Sequence, residues 1–133
     1  MRHFLICVVT CIAILVYSFS PSYALDVTLA WDANSETDLA GYKIYYKPGS
    51  SGGQNLANYP GNGAVEGNSP IVVPLSSLAN AASPEFTVHG LLDETYYFVA
   101  TAYNADGLES GPSNEVHAQG SSTPPTNGAP ALS

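Results

Sequence analysis

Tyr96-Tyr97-Phe98-Val99-Ala100-Thr101-Ala102-Tyr103, running into Asn104-Ala105-Asp106-Gly107, is the stretch that decides the fold. Eight consecutive aromatic, β-branched and small apolar residues make the longest strand-like run in the chain. The Asn-Ala-Asp-Gly that follows has turn chemistry, with Gly107 free to take positive φ. The returning strand is expected over Asn114 to Ala118. With Tyr96 inward, Phe98, Ala100 and Ala102 share the core face, while Tyr97, Val99, Thr101 and Tyr103 point out. A slip of one residue would reverse all of them.

Working outward, Val27-Thr28-Leu29-Ala30-Trp31 alternates at period two, with Val27, Leu29 and Trp31 on one face. Tyr42 to Tyr46 alternates likewise, placing Tyr42, Ile44 and Tyr46 together and Lys43, Tyr45 and Lys47 opposite. Ile71 to Leu75 is β-branched, but Pro74 confines it to a sheet edge. Phe86-Thr87-Val88 is a short strand before the turn at Gly90. No window has helical periodicity, and Leu75 to Ala82 has room for one turn at most. Short strands separated by turns predict a sandwich or small barrel. Its expected core is Trp31, Tyr42, Ile44, Tyr46, Phe86, Val88, Tyr96, Phe98 and Ala100.

The chain has 133 residues, 45% of them hydrophobic, which is enough to fill one core. Three basic residues stand against eleven acidic ones. That balance argues against nucleic acid and against an anionic membrane surface, both of which need clustered Lys and Arg. Met1-Arg2-His3, the apolar run Phe4 to Val16 and the small residues around Ser22-Tyr23-Ala24 form a secretory signal, with cleavage expected after Ala24. The apolar run is 13 residues long, and a spanning helix needs about 20. Cys7 and Cys11 both lie in the signal, so the mature chain is expected to have no thiol and no disulfide.

Trp31-Asp32, Asp38-Leu39-Ala40-Gly41-Tyr42, Gly41 to Tyr46, Leu91 to Tyr96, Ala102-x-Asn104-x-x-Gly107 and Glu109-Ser110-Gly111-Pro112-Ser113-Asn114-Glu115-Val116 together resemble a fibronectin type III domain of the secreted bacterial type. The resemblance covers about Leu25 to Ala118. It implies an all-β, immunoglobulin-like β-sandwich, with Tyr96 as the corner tyrosine that bonds back to the backbone. Almost nothing precedes the strand ending at Trp31, so the first strand of the family is expected to be absent or vestigial. The expected organisation is a signal peptide over 1–24, the domain over 25–118 and a flexible Pro/Ser-rich tail over 119–133. Residues 48–68 form an insertion with six glycines where the family has a short link. Without a first strand, Val27 to Trp31 would expose open backbone groups, which sheets normally cover. Six glycines make the insertion costly to order, which favours a partner strand over the insertion as the cover.

Chemistry is sparse. Gly49-Ser50-Ser51-Gly52-Gly53 matches G-x-S-x-G, but no helix follows and no base is supplied. His89 and His117 lack neighbours at ligand spacing, and no pair of carboxylates is set across a cleft. An enzyme is not expected, and no cofactor is implied beyond a calcium ion. Asp32, Asn34, Glu36 and Asp38 place oxygen atoms at alternate positions in one loop, and the sandwich would bring Asp106 and Glu109 to the same end. Their competing role is an acidic, solvated loop. Tyr45, Tyr97 and Tyr103 would form an outward aromatic face suited to a protein or a sugar, unless the insertion covers it. The expected function is a noncatalytic binding or spacer module, secreted to the periplasm or beyond, in contact with a protein or cell surface. A polysaccharide is the alternative ligand.

Overall fold

The computed structural model describes residues 24–120 and 131–132. Residues 1–23, with both cysteines, and most of the expected tail lie outside the described residues. Among the described residues seven strands follow in order: β1 (Leu25–Trp31), β2 (Leu39–Pro48), β3 (Ile71–Pro74), β4 (Glu85–Leu91), β5 (Tyr96–Asn104), β6 (Val116–Ala118) and β7 (Ala131–Leu132). They form two sheets, ordered β4-β1-β7 and β3-β2-β5-β6, which pack as an all-β sandwich. The only helical pieces among the described residues are 3₁₀ turns at Leu56–Asn58 and Leu75–Ser77. No helix among these residues is long and apolar enough to cross a membrane.

Alternation builds the core as the sequence requires. Val27, Leu29 and Trp31 enter from one sheet, and Tyr42, Ile44, Tyr46, Tyr96, Phe98, Ala100 and Ala102 from the other. Phe86 is only partly buried at its margin. Trp31 meets Tyr42 edge to face at 5.0 Å, a geometry that aromatic pairs favour. Tyr96 points inward, and its hydroxyl accepts the Leu92 N–H at 3.3 Å, so the expected register of β5 is the observed one. Pro74 ends β3 at the outer edge of the four-stranded sheet, where its missing N–H is harmless.

Three regions differ from expectation. Strand β6 begins at Val116 rather than Asn114. Pro112 cannot donate, and the chain before β6 uses side chains to continue the ladder. Ser110 and Ser113 accept the Ala102 and Ala100 N–H groups on their hydroxyls, both at 2.9 Å, while their own N–H groups donate to the same residues' carbonyls.

The insertion is ordered, and it covers the edge and outer face of β2 rather than β1. Gly61 N–H donates to Tyr46 O at 2.9 Å, Tyr46 N–H to Ser69 Oγ at 3.0 Å, and Tyr46 Oη–H to Gly67 O at 2.8 Å. Val65 N–H donates to His89 O on β4, so the segment ties the two sheets together. Its glycines are structural requirements. A Cβ on Gly61 would sit 2.4 Å from the Tyr46 carbonyl oxygen, and one on Gly52 would sit 2.5 Å from the Tyr59 ring.

The tail also returns. Strand β7 pairs in parallel with Ala30 and Trp31 of β1.

Candidate functional site

Two surfaces compete as the functional site. The first is the outward face of β2 and β5. Tyr45, Val99 and Thr101 point away from the sandwich core as expected, but the insertion lies over Tyr45 and Val99. Tyr59 packs on Tyr45 and Val99, leaving Tyr59 2% and Tyr45 9% exposed. Glu115 holds that cover in place: its carboxylate accepts from Ser51 Oγ at 2.6 Å, Tyr59 Oη at 2.5 Å and Gly52 N–H at 2.9 Å. Burial pushes the Tyr59 hydroxyl up to about 12, and the bond to Glu115 adds to the shift. For Glu115 burial works upward, yet the bonds from Ser51, Tyr59 and Gly52 prevail and lower its pKa.

Tyr97 and Tyr103 stay half-buried at the margins of this cover. Tyr97 stacks on His117 with centroids 5.6 Å apart, and Lys43 lies 5.8 Å above the Tyr103 ring. The three tyrosines therefore do not form one open aromatic platform: the middle one lies beneath Tyr59. Ser51, the serine of the G-x-S-x-G match, donates to Glu115 and pins the loop. His89 lies elsewhere, 2.5 Å from Glu66.

The oxygen-rich residues of the β1–β2 loop are not gathered with Glu109. Asp32, Asn34, Glu36, Asp38 and Asp106 are exposed. Asn34 N–H donates to Tyr42 Oη at 3.0 Å, and Asp38 Oδ2 accepts from Asn104 Nδ2 at 3.2 Å. Glu109 turns onto the sheet face instead. Its carboxylate accepts from Tyr45 Oη, from Thr101 Oγ1 at 2.7 Å and from Lys43 Nζ at 3.2 Å. Burial alone would raise the Glu109 pKa, but these three donors lower it. Burial, reinforced by Glu109, lifts Tyr45 to about 12. Among the described residues, no group of three or more His, Cys, Asp or Glu side chains is arranged to hold a metal ion.

The second surface is a cleft of about 470 Å³ at the Trp31 end of the sandwich. One wall is the β1–β2 loop, Asp32 to Glu36, and the other is Ser110 to Asn114. Its inner lining includes Trp31, Tyr42, Ala100 and Ala102, the same side chains that close this end of the core. The Trp31 indole Nε1–H is buried and has no hydrogen-bond acceptor. Such a group costs about 1–3 kcal/mol when left unpaired. The cleft lies where the two sheets are not joined by a continuous strand, between β1 and the serine-laddered segment.

Sequence reasoning did not find Tyr59, Glu115, Ser110 or Ser113. Tyr59 was the available signal, a single large aromatic at the centre of a glycine-rich loop. No family model matches the chain, and no curated protein or solved structure does either.

Proposed function

We propose that the chain is a secreted, noncatalytic contact module of the fibronectin type III kind, working by binding a protein at or beyond the cell surface. The observation that carries this reading is the Trp31 cleft. It combines apolar core side chains, a buried donor without an acceptor, and hydroxyl, amide and carboxylate groups at its mouth. That composition suits recognition. Catalysis would need a paired base or a nucleophile, and both mature-chain histidines are engaged elsewhere, His89 with Glu66 and His117 against Tyr97. The strand order and the bond from Leu92 N–H to Tyr96 Oη support the family reading. The polysaccharide alternative loses its main support, because Tyr45 is covered.

In-cell crosslinking tests the proposal. A photoreactive residue placed at Ser35 or Pro112, both exposed on the two cleft walls, should trap the same partner, identified by mass spectrometry. The same residue at Val72, which is 53% exposed on β3, serves as the control. Adducts at Val72 equal to those at the cleft, or none at any position, would overturn the reading.

A further inference from the structure

Resting on the contact-module reading, we propose that the Trp31 cleft seats a basic segment of the partner protein. A small apolar residue and a backbone carbonyl of that segment enter the cleft, and a neighbouring Lys or Arg side chain lies against Asp32 and Glu36.

The cleft is built into the sequence of β5. Its inward row runs from Tyr96 and Phe98 to Ala100 and Ala102. Large rings fill the sandwich at one end, and two methyl groups leave room at the other. Trp31 and Tyr42, packed edge to face, close the base of that room.

Both walls are fixed before any ligand arrives. Asn34 N–H donates to Tyr42 Oη at 3.0 Å and Leu39 N–H to Glu36 O at 3.3 Å, which holds the β1–β2 loop. The facing wall is held to β5 by the Ser110 and Ser113 hydroxyls. From the insertion, Gln54 Nε2–H donates to Ser113 O at 2.7 Å. A preformed cleft of about 470 Å³ has little conformational freedom left to lose on binding.

Two features name the occupant. The first is the Trp31 indole. Trp31 is only 8% exposed and lines the cleft, and no acceptor meets its Nε1–H. A purely apolar occupant would leave that donor unpaired, and a Lys or Arg head has no lone pair to offer it. A peptide carbonyl answers it.

The second feature is charge. Asp32 and Glu36 stand on one wall, and among the described residues no Lys, Arg or His lines the cleft. Both lysines of the described chain are engaged on β2, Lys43 with Glu109 and Lys47 with Ser50. Lys and Arg carry an aliphatic stem below a charged head, which suits an apolar floor beneath an acidic rim. An acidic segment would meet two uncompensated carboxylates. A second copy of this chain, with a net charge of −8, is disfavoured for the same reason.

The chain has one tryptophan, so its indole Nε1–H gives a single signal in the ¹⁵N spectrum. The probe is the acetylated, amidated hexapeptide Ala-Val-Arg-Ala-Lys-Ala, beside an analogue with citrulline for Arg and Gln for Lys. The basic peptide should move the indole proton downfield and slow its exchange with water. The neutral analogue should bind at least about threefold more weakly. An Asp32→Asn, Glu36→Gln double variant should bring the basic peptide down to the affinity of the neutral one. An Asp93→Asn, Glu94→Gln variant removes the same charge at exposed positions outside the cleft and should not. Both variants are checked for native melting.

Equal binding of the two peptides would overturn the proposal, as would equal loss in the two double variants. So would binding that leaves the indole signal in place, or no binding of the basic peptide at about 5 mM. Spermine moving the indole signal at the same concentration as the peptide would assign the cleft to small polycations and also overturn it. If crosslinks form at Ser35 and Pro112 while the two peptides bind alike, the contact module stands and the basic segment falls. If no crosslink forms anywhere, the contact module itself has failed.

Discussion

On one side of the sandwich, where β2 approaches β4, the 48–68 insertion hydrogen-bonds Tyr46 on one sheet and His89 on the other. On the opposite side, where β1 approaches Ser110 to Asn114, the described tail residues Ala131 and Leu132 pair with β1 beside a cleft. Both covering segments are rich in residues that disfavour regular structure. The insertion is held by anchors. The insertion has Tyr59 to bury and Glu115 to bond, and its glycines permit close approach at positions 52 and 61. Loop composition alone does not determine whether a loop is ordered. What decides is whether its few large side chains have a site to fill.

Substitutions can break this comparison, and the largest effect belongs to the residue at the open side. Trp31→Ala should cost about 3–5 kcal/mol in chemical denaturation, because it empties the core beneath the cleft. A cost below about 1 kcal/mol would mean that Trp31 is not a core residue. On the sealed side, Gly61→Ala should cost about 1–3 kcal/mol, since the new methyl meets the Tyr46 carbonyl and ring. If thermal melts of this variant match wild type, the insertion does not pack on Tyr46.

Glu115→Gln keeps the shape and removes the charge that Ser51, Tyr59 and Gly52 share. A loss of about 1 kcal/mol is expected. The Tyr59 ring should also become more accessible to iodination; unchanged accessibility would show that Glu115 does not hold the cover.

The Glu66–His89 pair joins the sealed side to β4 and gives it a pH dependence. Burial works to raise the Glu66 pKa, but the bonds from His89 prevail and lower it. The bond to Glu66 raises the His89 pKa. The Glu66 contribution is therefore present above its ordinary 4.5 and lost as pH falls through the lowered value. The His89 contribution is present below its ordinary 6.5 and lost as pH rises through the raised value. Melting temperature should show a local advantage between these limits that His89→Gln removes. A pH profile unchanged by His89→Gln would contradict the pairing. The smallest effect belongs to the open side: the Ala131→Pro, Leu132→Pro pair should shift stability by no more than about 0.5 kcal/mol.

Much of the fold was legible because period-two alternation is unambiguous in β1, β2 and β5. Placing Tyr96 inward set the register, and the expected core agrees except at the half-buried Phe86. The fate of the tyrosine face was harder to read. Tyr45 and Val99 do point outward, but their cover depends on Tyr59 crossing from a loop, and this contact has no periodic signature. Glu109 was grouped with the β1–β2 loop carboxylates by sheet-end proximity. Its side chain is drawn instead to the donors Lys43, Tyr45 and Thr101, a choice made by side-chain direction on the sheet. The serines that replace the start of β6 are legible only with their backbone partners in view.

Amide hydrogen exchange of the protein in dilute solution compares the two sides directly. Gly61 and Val65 N–H groups, bonded to Tyr46 and His89, should exchange slowly, while Thr28 N–H should exchange fast despite lying between buried Val27 and Leu29. Thr28 protected as strongly as Val65 would mean that the β1 edge is already covered within one chain, and the contrast between the two sides would be wrong.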